Sequence, residues 1–134
     1  MTRKIIIKNT IINQVDEELN ISNFDIIDIE IKNSESKNID ISSSKVNNLK
    51  LNKVKNVTFN TCTIENSELN KMKNVSFSFC TIENLKAINV DAIDINHKNK
   101  FLKTSFNNCY FETFYRDGNE FYNSVFSNAT IEPD

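Results

Sequence analysis

Cys62, Cys80 and Cys109, with the single histidine His97, are the side chains here that could hold a soft metal. Thiolates and an imidazole suit tetrahedral zinc, but zinc sites pair their ligands at short spacing, and none of these cysteines belongs to a CxxC. Glu65 and Glu83 form a second candidate, since two carboxylates brought together can share a proton or a cation. No His or Asp recurs beside them at the same step. A third candidate is cationic: Lys37, Lys55 and Lys73, with Lys53 and Lys71, form a ridge that could touch phosphate. No nucleophile and base pair, phosphate-binding loop or metal motif accompanies these groups, so the chain reads as non-enzymatic, without metal or cofactor.

Their spacing leads back to what must position them. Cys62 and Cys80, like Glu65 and Glu83, stand 18 residues apart in two copies of one line, NVTFNTCTIENSELNKMK and NVSFSFCTIENLKAINVD, running from Asn56 to Asp91. The same step lays Val57 on Val75, Phe59 on Phe77 and Ile64 on Ile82. Self-similarity at a period of about 20 residues marks a solenoid. Inside it runs a five-residue beat: Ile21, Ile26, Ile31, Ser36, Ile41, Val46 and Leu51, each with an apolar or small companion two positions earlier. The beat resumes, shifted, at Phe59, Ile64 and Leu69, and again at Phe77, Ile82 and Ala87. Residues i−2 and i of a strand face one side, whereas a helix needs spacings of three and four. The shifts imply coils of 20 residues giving way to coils of 18, with three full sides and a shortened fourth. At the shortened corner Lys-Asn recurs, and Asn38, Asn56 and Asn74, tolerant of positive φ and able to bond amide to amide, are expected to stack as a ladder.

This pattern gives each candidate a plainer role. Val57, Phe59, Cys62, Ile64 and Leu69 should lie under Val75, Phe77, Cys80 and Ile82 and their neighbours as core ladders; truncating Phe77 or Ile82 should cost about 3–5 kcal/mol. The cysteines sit at inward i−2 places, where a small side chain is wanted. Stacking at about 4.8 Å misses the roughly 3.8 Å Cβ separation that a Cys62–Cys80 disulfide would need. Glu65 and Glu83 fall on a solvated face, and the lysines keep a sheet edge soluble. Past Ile95 the beat slips around His97 to Lys100, then returns at Phe101, Phe106, Phe111, Phe121, Phe126 and Ile131, with Thr104, Cys109, Ser124 and Ala129 at i−2; Tyr115 to Asn119 reads as an excursion through a turn. Residues 1–18 are expected to be an N-terminal cap or degenerate first coil, and 19–134 a solenoid of about five to six coils with aromatic C-terminal coils.

The pentads Cys62-Thr63-Ile64-Glu65-Asn66, Ser67-Glu68-Leu69-Asn70-Lys71, Cys80-Thr81-Ile82-Glu83-Asn84, Cys109-Tyr110-Phe111-Glu112-Thr113, Ser124-Val125-Phe126-Ser127-Asn128 and Ala129-Thr130-Ile131-Glu132-Pro133 resemble the pentapeptide repeat family. The resemblance covers roughly Leu19 to Ile131 and implies an all-β, right-handed parallel β-helix of quadrilateral section with i and i−2 side chains inside. Leu19, Phe24, Ile29, Ile39 and Leu49 depart from it, being bulky where that family prefers Ala, as do the 18-residue coils. Some members of the family imitate duplex DNA and bind topoisomerases such as gyrase, which offers an alternative function.

One domain is indicated by 134 residues, 39% hydrophobic, with one Gly and one Pro. The short apolar runs of the first 14 residues make neither a signal peptide nor a membrane span, so a cytoplasmic protein with reduced thiols is expected. The net charge of −2 hides a pattern: Val15 to Ser44 sums to −6, Lys45 to Val75 to +4 and Tyr110 to Asp134 to −4. Tyr110, Tyr115 and Tyr122 fall out of phase with the core beat and suit an interface. The leading functional expectation is a structural or protein-interaction module, homodimeric through its C-terminal coils. A gyrase-binding DNA mimic is the alternative, and nucleic-acid contact through the lysine ridge is the weaker one.

Overall fold

The computed structural model describes the backbone of residues 5–15, 17–34 and 37–132, and the side chains from residue 10 onward within those ranges. The expectation that Ser36 points inward, and the charges of Asp16, Glu35 and Asp134, lie outside the described residues. The strands are β1 (Ile5–Asn13), β2 (Leu19–Ser22), β3 (Phe24–Ser34), β4 (Ile39–Ser42), β5 (Lys45–Asn60), β6 (Thr63–Ser78), β7 (Thr81–Ile95), β8 (Lys100–Leu102), β9 (Ser105–Asn107), β10 (Tyr110–Phe114), β11 (Glu120–Tyr122), β12 (Val125–Ser127) and β13 (Thr130–Ile131). They join one 13-stranded sheet in which the pairs are parallel and each strand lies along the one a coil earlier. The result is an all-β parallel solenoid of about six turns.

Register gives the coil lengths directly. Ile5 pairs with Phe24, a step of 19; Leu19 pairs with Ile39, a step of 20; Lys45 pairs with Thr63 and Thr63 with Thr81, steps of 18; Thr81 pairs with Lys100, 19; and Lys100 with Glu120, 20. The N-terminal strand β1 is thus laid in parallel along β3 as a coil of the solenoid.

Each side of a coil repeats one short device. A buried residue i is followed by an outward residue and then by one with positive φ, which turns the chain into the next side: Ile64 with Asn66 at 52°, Ile82 with Asn84 at 57°, Phe106 with Asn108 at 56°. Left-handed backbone costs an ordinary L-residue about 1–2 kcal/mol, and Asn meets that cost best after Gly. This is how a chain with one glycine turns so many corners, and more than half of the non-glycine residues at positive φ among those described are Asn. Their amides bond along the axis, Asn33 Nδ2 donating to Asn13 Oδ1 at 2.8 Å, Asn74 to Asn56 at 3.0 Å, Asn84 to Asn66 at 2.8 Å and Asn108 to Asn89 at 2.7 Å. Asn38 departs from the expected corner ladder. It is not among the residues with positive φ, and its carbonyl accepts from the Leu19 N–H at 2.9 Å, one 20-residue coil away.

The core is a set of axial columns: Ile41, Phe59, Phe77 and Ile95 on one side, Val46, Ile64, Ile82 and Phe101 on the next, Leu51, Leu69, Ala87 and Phe106 on the third. Phe59 and Phe77 stack at 5.3 Å with ring planes 8° apart. The shortened side has its own buried residues, Val54, Met72 and Val90, which the five-residue beat skips. A register shift between Phe111 and Thr113 leaves Glu112 as an extra residue, so Phe114 aligns with Ile95 and packs on the core. The turn at Asp117 and Gly118 follows, with Gly118 at φ 80°.

Candidate functional site

The inward i−2 places do more than fill space, and serine shows how. Ser67 Oγ accepts from the Leu49 N–H one coil below at 3.1 Å and donates to the Glu65 carbonyl at 3.0 Å. Ser44 does the same for Phe24 and Ser42, and Ser124 for Thr104 and Tyr122. A buried corner N–H that no strand partner reaches is thereby satisfied by the side chain stacked on it, which a buried donor requires.

The cysteines occupy the same class of place. Cys62, Cys80 and Cys109 are buried free thiols. Cys62 Sγ donates to the Ile41 carbonyl at 3.3 Å or to Asn60 at 3.4 Å, and backbone N–H groups of Ser44, Cys62 and Val90 bond to the sulfurs of Cys62, Cys80 and Cys109 respectively. Cys62 and Cys80 meet one above the other. The bond from Cys80 to Cys62 lowers the Cys62 thiol to about 7 against the opposing effect of burial. Cys80, whose Sγ also reaches the Ser78 carbonyl at 3.3 Å and the Phe59 carbonyl at 3.4 Å, is raised above the ordinary thiol range, first by its interaction with Cys62 and then by burial. Burial likewise raises Cys109, which stands apart on the shortened side.

His97 is not brought to the sulfurs. It lies exposed on an outer corner and stacks on Tyr115 at 4.6 Å with planes 12° apart. Among the described residues no group of three or more His, Cys, Asp or Glu side chains could hold a metal ion. Among the described residues no helix is long and apolar enough to cross a membrane. Glu65 and Glu83 are in register on an outer face, half-buried and exposed. Lys55 stands directly opposite Lys73, and Lys53 and Lys71 occupy the corners beside them at φ 58° and 55°.

Two polar residues at inward places, Asn99 buried and Asn119 half-buried, were not legible from the beat. Asn99 is 1% exposed in the column of Cys62 and Cys80: its Oδ1 accepts from the Cys80 N–H at 2.9 Å and its amide donates to the Phe77 carbonyl at 3.0 Å. Asn119, one coil on, accepts from the Asn99 N–H at 2.8 Å and donates to the carbonyls of Asn96 and Tyr115. Their position two residues before Phe101 and Phe121 was the available signal. Asn119 pins the 115–119 excursion to the coil beneath.

At the last turn the core meets the outside. Phe101 stacks on Phe121 at 4.8 Å and Phe106 on Phe126 at 5.1 Å, yet Phe126 is 39% exposed, Ile131 41% and Val125 60%. The strands β11, β12 and β13 are each paired on one side, with β8, β9 and β10. Of the tyrosines expected at an interface, Tyr110 is half-buried, while Tyr115 and Tyr122 are exposed. Tyr122 gives its hydroxyl proton to the Glu120 carboxylate, which raises its pKa, and Lys100 Nζ lies 5.5 Å over its ring.

No family model and no curated protein matches the chain. Two solved structures of trypsin-treated QnrB1, described as a plasmid-mediated fluoroquinolone resistance protein, are similar to it at 9% and 10% sequence identity, covering 97% of this chain and 72% and 92% of theirs, with TM-scores of 0.31 and 0.29. At those TM-scores the likeness carries no weight, and the fold rests on the strand register itself. That register, with the pentads of the sequence, is consistent with a pentapeptide repeat protein.

Proposed function

We propose that this chain is a non-catalytic interaction module whose contact surface is the open aromatic end of its last turn, and that a second copy of the chain covers it. One observation carries the reading: Phe126 and Ile131 are exposed although they continue the core columns of Phe106 and Phe111, beside strand edges whose N–H and C=O groups face away from the solenoid. An apolar surface framed by free strand edges favours sheet continuation. A second copy presents the same rings and the same edges, so a two-fold contact is complementary to itself and closes at two. Glu120 and Glu132 sit in these last strands or beside them, so a two-fold contact would bring two acidic ends together.

Light scattering on size-exclusion fractions tests this. A dimer is expected, and it should tighten as salt rises from about 0.05 to 0.5 M, because salt screens the facing carboxylates while leaving apolar burial in place. Phe126→Glu should give a folded monomer. A wild-type chain that stays monomeric at high concentration and high salt would remove the proposal.

A gyrase-directed DNA mimic has weaker support. It needs acidic columns along the axis, but Asp25 is followed by Lys45 and Glu30 by Lys50, so sign alternates from coil to coil. Inhibition of supercoiling at micromolar protein would restore it.

A further inference from the structure

The shortened side breaks two local rules at once. Lys55 and Lys73 are directly opposite in the ladder, where like charges repel. Lys53 and Lys71 hold corners at φ 58° and 55°, as Lys98 and Lys103 do elsewhere, a conformation that costs lysine more than it costs Asn. Among the described residues none of the four takes part in an ion pair. Both departures weaken the fold, and they coincide on two adjacent coils. Such departures, only partly offset by the Asp91 that follows Lys73 in register, point to a role outside the fold.

The surroundings set the size of what these lysines would hold. Above them Lys73 pairs in register with Asp91. Beyond the corner of Asn56 and Asn74 lies a polar trough of about 280 Å³ whose lining includes Asp40, Asp94 and Glu112. Around the other corner Glu68 stands on the neighbouring side. An extended polyanion would run onto these carboxylates, whereas a compact one would not. The two coils are one step of about 5 Å apart, which fits a few linked phosphate groups, and the Asn56 and Asn74 amides border them with hydrogen-bonding groups. No aromatic side chain lies among the four, so nothing there would stack a base.

We propose that Lys53, Lys55, Lys71 and Lys73 form a binding site for a compact polyphosphate anion, separate from the contact surface at the end of the solenoid. Lysine supplies point charges to several non-bridging oxygens at once, and the anion relieves the repulsion between Lys55 and Lys73.

Sodium tripolyphosphate is the probe, titrated into the full chain by calorimetry at low salt, with thermal unfolding as the second readout. Wild type should bind and its melting temperature should rise. Lys55→Gln with Lys73→Gln should weaken binding at least about tenfold and abolish that rise, while melting higher than wild type without the anion because the repulsion is gone. Lys50→Gln with Lys86→Gln, on another side, should leave both readouts unchanged. The proposal is overturned if wild type shows no binding and no shift, or if the two double variants respond alike. It is equally overturned if a short DNA duplex binds at least as tightly as tripolyphosphate and depends on the same lysines, since the occupant would then be an extended polyanion.

Discussion

Ser67 and Ser34 offer a matched test of the idea that i−2 side chains hold the corner backbone. Both are inward and fully enclosed, at 2% and 0% exposure, and Ser→Ala removes the same single oxygen from each, so the packing loss is common to the two. Their hydrogen bonding differs. Ser67 Oγ is the acceptor for the Leu49 N–H, on a residue 1% exposed, and it also donates to Glu65. Ser34 Oγ has no partner, and the Lys32 carbonyl two residues before it accepts from the Gln14 N–H of the coil below. Ser67→Ala strands a buried N–H and should cost about 1–3 kcal/mol. Ser34→Ala removes an uncompensated buried hydroxyl and should be neutral or stabilising. Urea unfolding followed by circular dichroism measures the difference, compared at equal m so that both variants report native-state changes. Equal costs at the two sites would refute the reasoning, and so would a larger cost at Ser34.

Phe79 is 51% exposed at φ 55°, a corner that asparagine fills elsewhere, so Phe79→Asn should stabilise by up to about 1 kcal/mol in the same urea assay; a loss of stability would show that the ring has a partner. Cys109 is raised by burial, so the folded thiol keeps its proton at pH values where the unfolded one, near 8.5, has lost it. Its contribution is therefore complete below pH 8.5 and is lost as pH rises beyond it, at up to about 1.4 kcal/mol per pH unit until the folded thiol titrates. The stability gap between wild type and Cys109→Ala should accordingly shrink between pH 8 and 10, and a constant gap would contradict that assignment.

The columns were readable in the sequence because strand alternation puts i and i−2 on one side, and stacked coils demand like residues at one step. Val57, Phe59 and Ile64 announce that step by being repeated as Val75, Phe77 and Ile82. What escaped notice lies where the device is shortened or interrupted. A three-residue side has no i−2 companion, so Val54, Met72 and Val90 carry no pentad signature although they are buried. Asn99 and Asn119 stand in inward places yet are polar, and hydrophobicity alone assigns such residues to loops; their placement makes sense only with the stacked N–H groups they satisfy. Phe114 turns inward only because Glu112 is extra, and a bulge leaves no mark in a periodic pattern. The stack of His97 on Tyr115 joins a corner to an excursion, a contact no period fixes.

These exceptions are where the chain differs from a mere stack of coils. Repetition by itself makes sides that water covers and ends that want another coil, so function must come from residues that depart from the repeat. Lys53 and Lys71 at left-handed corners and the uncovered Phe126 and Ile131 are two such departures, on different coils and with different chemistry, one cationic and one apolar. Because a solenoid coil contacts only its neighbours, a change at one should leave the other intact: Phe126→Glu should keep tripolyphosphate binding at full strength, and the Lys55→Gln, Lys73→Gln chain should remain dimeric. Loss of both properties from either change would show that the two surfaces are one site, or that the solenoid does not behave as a stack of separable coils.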